Sequence, residues 1–333
     1  MAPHPQRLTV TRRSWPLARP ITTADGVRTT AETVIAEIAD GDSRGRGECV
    51  PLERFGETAD SVTAALNAMK DAIFSGLNRE TVQRAMPPGA ARNALDCAFW
   101  DIDANRAFCS VADLAGLAAT PPVTTAFTIA LDTPEKMAEQ AAANRTRPLL
   151  KLLLGGDGDV ERVQAVRQAV PAARLIVDAN ENWTAAQLKT FMPALADCRI
   201  ELIEQPLPAG ADDALAGWEH TIPLCADESC RSLADLDALT GRYNAVNIKL
   251  DQVGGLTEAL ALVAAAKRLG LRIMAGGTLG TSLGIAPALL IAQQAEIVHL
   301  DGPLHLAADR HPGLRYEGST IHPPVGTFWG QPG

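Results

Sequence analysis

From Val123 to Pro303 eight short β-type runs alternate with stretches of helical, amphipathic spacing: "VTTAFTIA", "PLLKLLL", "RLIVDAN", "IELIEQPL", "IPLCADES", "AVNIKLD", "LRIMAGG" and "AEIVHLDGP". Parallel strands need a crossover of a dozen or more residues, and helices supply it. Eight such units, each followed by something helix-like except the last, predict a parallel (β/α) barrel. A doubly wound open sheet is the alternative, but no GxGxxG opens a helix after an early strand.

The region before this series has another character. "ETVIAEIADG" alternates apolar and polar residues, and the Gly-rich "DGDSRGRGEC" turns it into a second strand, as a hairpin would. Apolar residues then recur at helical spacing from Asp60 to Phe74 and from Ala90 to Ala107. This predicts an α+β domain over residues 1–118 and a barrel over 119–310. The tail 311–333, rich in Pro and Gly, lacks periodicity and is expected to pack back across the molecule.

A chain of 333 residues has room for both units. Its composition, 47% hydrophobic and 21% charged, is that of a globular protein, which sets aside disorder. The net charge of -9, without basic runs, excludes a non-specific grip on nucleic acid or on an anionic membrane. "MAPHPQRLTV" is unlike a secretory signal, and no run approaches the ~18 apolar residues of a spanning helix. Six cysteines lie scattered without a CxxC pair, as expected of reduced thiols. A cytoplasmic enzyme acting on a small molecule is the expectation, and a homo-oligomer is compatible with it.

Asp178, Glu204 and Asp227 each stand at the C-terminal end of a run. In a barrel those ends surround one mouth, so three carboxylates on consecutive strands converge. One such acid alone would be read as a helix cap. Three in register repel unless neutralised, and hard oxygen donors call for a divalent ion such as Mg²⁺. Asn180 and Glu228, one or two positions beyond, are candidate supporting ligands or simple turn residues. Lys249 interrupts the apolar "NIKLD", where a nearby cation and an apolar wall would lower its pKa and suit it to be a general base. The plainer reading pairs it with Asp251 or Glu228. Lys151 is the lone ammonium of "PLLKLLL", and Thr278 lies in the Gly-rich "AGGTLGTS", which reads as a substrate wall.

The order Lys151, Asp178, Glu204, Asp227, Lys249 resembles the enolase superfamily in its muconate-lactonizing-enzyme-like subgroup. "IVDANENW", "IEQPLP", "ADES", "NIKLDQVGGLTEAL" and "LDGP" are similar to the dipeptide epimerases of L-Ala-D/L-Glu type, as are "WPLARP", "GECVP", "RFGET" and "PPGAARNALDCAFWD". The resemblance implies an N-terminal α+β capping domain over a (β/α)7β modified TIM barrel. It implies a Mg²⁺-dependent isomerase that takes the α-proton of a dipeptide or N-acyl amino acid through a metal-stabilised enolate. Lys151 and Lys249 would be catalytic. Loops near residues 20–28 and 53–58, with Asp25 and Phe55, would close over a substrate that Thr278, His299 and Asp301 also contact.

Three positions depart from that pattern. The family's Lys-x-Lys on the second strand reads Lys151, Leu152, Leu153, and leucine cannot take a proton. By alternation Leu153 faces inward with Lys151. The Asp-x-Asp of the last strand reads His299, Leu300, Asp301, and an arginine of the first loop is replaced by Asp25. Leu153 therefore leaves two alternatives: a one-base lyase or cycloisomerase using Lys249, or a homologue that keeps the metal site and has lost catalysis.

Overall fold

The computed structural model describes residues 6–117 and 120–331. The boundary expected between residues 118 and 119 lies outside the described residues. Three antiparallel strands, β1 (Arg7–Thr23), β2 (Gly26–Asp40) and β3 (Ser43–Cys49), form the first sheet in that order. Alternation in β2 buries Val34, Ala36 and Ile38. They pack in one core with α1 (Ala59–Ala68), α2 (Lys70–Phe74), α3 (Arg79–Ala85) and α4 (Ala90–Ala107). The periodic stretch from Asp60 to Phe74 is two helices, because Met69 N–H bonds to Leu66 O and tightens the last turn of α1. The long β1 was illegible in the sequence because Pro16 and Pro20 interrupt it. As an edge strand it tolerates both, with a register shift between Pro16 and Ile21.

"VTTAFTIA" is not one strand. β4 (Val123–Thr124) leaves the barrel for the tail, and the chain bends at buried Thr125, whose hydroxyl accepts the Leu300 N–H and bonds the Ala126 carbonyl. The barrel strands are β5 (Phe127–Ile129), β6 (Leu149–Leu153), β7 (Arg174–Asp178), β8 (Ile200–Glu204), β9 (Leu224–Ala226), β10 (Ala245–Lys249), β11 (Arg272–Gly276) and β12 (Ile297–His299). They run parallel in sequence order, and the Ala126 N–H to Val298 O bond of 2.7 Å joins last to first. Helices follow most strands, but β8 is followed by a 3-10 turn at Asp212–Leu215 and β9 by a single helical turn at Leu236–Leu239. In the tail, β13 (Tyr316–Glu317) and β14 (Thr320–Ile321) form a hairpin on β4. The indole of Trp329 donates to Cys97 O in α4, tying the tail to the capping helices. Among the described residues no helix is long and apolar enough to cross a membrane.

Alternation along the strands sorts the barrel interior into layers. Leu149, Ile176, Leu202, Cys225, Ala245, Met274 and Ile297 with Ala126 form an apolar plug. Two residues further along each strand come Thr128, Lys151, Asp178, Glu204, Asp227, Asn247, Gly276 and His299. The charged layer thus rests on a dry floor.

Candidate active site

The charged layer brings Asp178, Glu204 and Asp227 together, with one carboxylate oxygen from each within 4.8 Å of the others. All three are buried. Lys151 Nζ sits between two of them, 2.8 Å from Asp178 and 2.6 Å from Glu204. Burial alone would lower its pKa, but these two carboxylates outweigh burial and hold it above the ordinary lysine value. Lys249 makes a close ion pair with Asp227 and lies 3.9 Å from Glu204. Its expected partners Asp251 and Glu228 do not form that pair.

For Lys249 the carboxylate partners reverse the direction that burial alone would give. Burial acts to lower its pKa, but Asp227 and Glu204 oppose it more strongly and raise the value well above normal. The acids themselves are aimed by neighbours that the sequence reading missed. Asn247 donates to Glu204 Oε1 at 2.8 Å, and Gln205 accepts the Asp227 and Ser229 N–H groups. Asn247 shares the inward face of Lys249 two residues away, so alternation could have revealed it. Gly276 makes room for it: a Cβ there would lie 2.3 Å from Asn247 Oδ1.

A cavity of about 210 Å³ opens over this layer, with Lys151, Leu153, Asp178, Lys249 and Thr278 in its wall. Leu153 pairs in register with Asp178, so an apolar side chain stands beside the carboxylate trio. Asn180 lines the cavity and donates its backbone N–H to Asp178 Oδ1 at 2.9 Å. Glu228 is pushed up to about 7, first by burial, and its Oε2 is buried without a hydrogen-bond partner. Asp25 reaches the same cavity from the β1–β2 turn, and with it Arg28, which the sequence reading overlooked. Phe55 lines an adjoining cavity instead, where the Arg231 guanidinium stacks 4.0 Å from its ring.

Asp251 holds the capping domain to the barrel. It accepts from Val50 N at 3.1 Å and Asn93 Nδ2 at 2.7 Å in the cap, and from the Thr278 hydroxyl after β11. A second tie links Arg54 to Glu181, with Nη2 to Oε1 at 2.8 Å. At the other side of the mouth His299 and Asp301 meet at 3.1 Å, and His305 joins them.

The oxygen donors fit a hard divalent cation such as Mg²⁺. Asp227 Oδ1 is buried with no hydrogen-bond partner, and the Lys151 ammonium shows that the space between Asp178 and Glu204 accepts a positive group. Capped barrel, a carboxylate trio that could hold a metal and flanking lysines define an enzyme of the enolase type. Comparison with known proteins agrees: residues 6–116 match the mandelate racemase / muconate lactonizing enzyme N-terminal domain, and residues 135–327 match the enolase C-terminal domain-like family. The chain belongs to this family.

It is 44% identical over 315 residues to the L-Ala-D/L-Glu epimerase of Escherichia coli, covering 94% of this chain and 98% of that protein. It is 40% identical over 299 residues to an N-acetyl-D-glutamate racemase of a Pseudoalteromonas species, covering 89% and 95%. Among solved structures, an enolase family member from Agrobacterium tumefaciens with homology to dipeptide epimerases, bound to sodium and L-Ala-L-Glu, superposes with a TM-score of 0.96. That pair shares 48% identity over 98% of this chain and 100% of the other.

Proposed function

We propose that this chain is a Mg²⁺-dependent racemase or epimerase that removes and returns the α-proton of an amino acid acylated on nitrogen, either a dipeptide or an N-acyl amino acid. The observation that carries the reading is Lys249 in the cavity wall beside the Asp178, Glu204 and Asp227 trio. Asp178, Glu204 and Asp227 would hold the metal. A cation held by these three would supply positive charge where negative charge develops as the α-proton leaves. Lys249 Nζ, in the neutral form that a cation held by Asp227 and Glu204 would favour, would take that proton from one face. Asn247 and Gln205 fix Glu204 and Asp227, and the apolar floor under the layer excludes water.

On the opposite face Leu153 offers no proton acceptor. Lys151, two residues earlier on the same strand face, is the group of β6 left to return a proton. The experiment is α-proton exchange in deuterium oxide followed by NMR, with Mg²⁺ and a panel of L-alanyl and N-acyl amino acids. Exchange with loss of optical rotation supports the reading. Neither exchange nor racemisation across the panel would sink it.

Leu153 specifically favours a second reading, a one-base lyase or cycloisomerase. Lys249 would then take a proton and a leaving group or ring closure would complete the reaction. Deuterium would enter on one face only and a product of new constitution would accumulate, whereas recovery of only the mirror-image isomer excludes it. The six cysteines are free thiols, five of them buried, which supports a reducing, cytoplasmic setting.

A further inference from the structure

The carboxylate trio is held from outside the barrel as well as from within. Just past the end of β7 two consecutive residues, Asn180 and Glu181, take left-handed backbone conformations, with φ of 45° and 64°. Asparagine visits that region readily, whereas glutamate rarely does, because its Cβ crowds the backbone. The conformation doubles the chain back on β7 and brings the Asn180 N–H to Asp178 Oδ1 at 2.9 Å. The other Asp178 oxygen meets the Lys151 ammonium at 2.8 Å. The aim of Asp178 thus depends on a turn that the residue type at position 181 does not favour.

Main chain and side chain of Glu181 together hold that turn in place. Its N–H bonds to Gln205 O at 2.9 Å, and its carboxylate, 11% exposed, accepts the Ala209 N–H at 2.6 Å and both arms of the Arg54 guanidinium. Arg54 comes from the capping domain, in a 3-10 turn at Glu53–Phe55 that buries none of its three residues. This turn is fastened to the barrel by the Arg54 fork and by Arg231 stacked on Phe55. Leu52 walls the cavity over the trio, and Glu53, Arg54 and Phe55 wall the adjoining one. With the turn swung away, the Glu181 carboxylate would keep the Ala209 N–H alone in a largely dry place. A charge so placed moves out to water instead, and the left-handed turn loses its anchor.

We propose that Arg54 and Glu181 are positioning residues for Asp178, and that closure of the Glu53–Phe55 turn over the cavity and cation binding at the trio strengthen each other. The inference rests on the reading above for the metal alone and not for the reaction. Coupling of this kind is reciprocal: the factor by which the closed turn tightens the cation is the factor by which the cation tightens the closed turn. The site therefore grips its ion hardest when it is covered.

The test needs no substrate: Mg²⁺ dissociation constants are measured by calorimetry on the full-length protein, with thermal denaturation to verify folding. Arg54→Ala removes a positive charge from the neighbourhood of the trio, so plain electrostatics predicts equal or tighter binding. Coupling through the turn predicts the opposite, a weakening of at least about fivefold. Adding Glu181→Gly to Arg54→Ala restores the net charge of the wild type and should bring the affinity back to within about twofold of it, since glycine takes the left-handed conformation with no side chain to anchor. Hydrogen exchange at the Ala209 amide, followed by NMR, reads the reciprocal effect: Mg²⁺ should slow it at least about fivefold in the wild type and leave it unmoved in Arg54→Ala. A folded Arg54→Ala protein that binds Mg²⁺ as tightly as the wild type overturns the proposal. So does a double variant no better than Arg54→Ala, or wild-type Ala209 exchange that ignores the ion. A wild type that takes up no Mg²⁺ defeats the metal reading itself, and the coupling with it.

Discussion

Replacing Leu153 by lysine should convert a one-sided proton-transfer site into a two-sided one. Leu153 lines the cavity and sits in register with Asp178, so a side chain projecting from it approaches the substrate from across the barrel relative to β10. A positioned general base contributes about 10²- to 10⁴-fold in rate, or about 2.7–5.4 kcal/mol of barrier. The cost in stability is modest. Leu153 is buried, but a lysine stem retains much of its apolar contact, which limits the loss to about 1–2 kcal/mol. Charge also favours the change, since three carboxylates here face only two ammonium groups, and a third evens the balance before any metal binds. The assay is polarimetry and deuterium exchange on the preferred substrate, with thermal denaturation to verify folding. Racemisation should rise by at least about 100-fold. A folded, Mg²⁺-binding Leu153→Lys enzyme that racemises no faster than wild type would refute the assignment of Leu153 to the base position.

Mg²⁺ at about 100 times its dissociation constant should stabilise the protein by about 2.7 kcal/mol, seen as a rise in Tm that a chelator reverses; an Asp227→Asn variant that shows the same rise would place the metal elsewhere. Gly276→Ala pushes a methyl into Asn247 and through it displaces Glu204, so kcat should fall at least about tenfold; wild-type turnover would count against that chain of contacts. Asp251 is pushed up to about 7, first by burial and against the hydrogen bonds from Thr278, Asn93 and Val50. Because its folded pKa exceeds the unfolded value of about 3.9, its contribution is complete below about pH 4 and is lost as pH rises through 7. Urea titrations of Asp251→Asn should therefore show a flatter fall in stability from about pH 4 to 7 than wild type; parallel curves would contradict this.

The barrel was legible because short apolar runs recur at a spacing that suits one helical crossover, and three consecutive runs end at or just before a carboxylate. Asp178, Glu204 and Asp227 could be placed on one rim from alternation alone. Proton affinities were not legible, since they depend on which acid each lysine faces. Lys249 was expected to release its proton readily near a cation, whereas its contact with Asp227 favours keeping it. Asp251 illustrates a second limit. Its partners Val50 and Asn93 lie far away in the chain, and nothing in "NIKLD" announces a bond across domains. His305 lies only four residues from Asp301 and was simply overlooked, whereas the Arg147 contact with Phe127 depends on β5 and β6 lying side by side.

The ammonium of Lys151, wedged between Asp178 and Glu204, has a consequence for the order in which this protein is assembled. Three buried acids would ordinarily make a barrel reluctant to close until an ion arrived, as in small domains whose folding waits for zinc. Here the chain carries its own counterions on β6 and β10. Synthesis and folding can run to completion where divalent ions are scarce, and loading becomes a later, reversible event in a finished container.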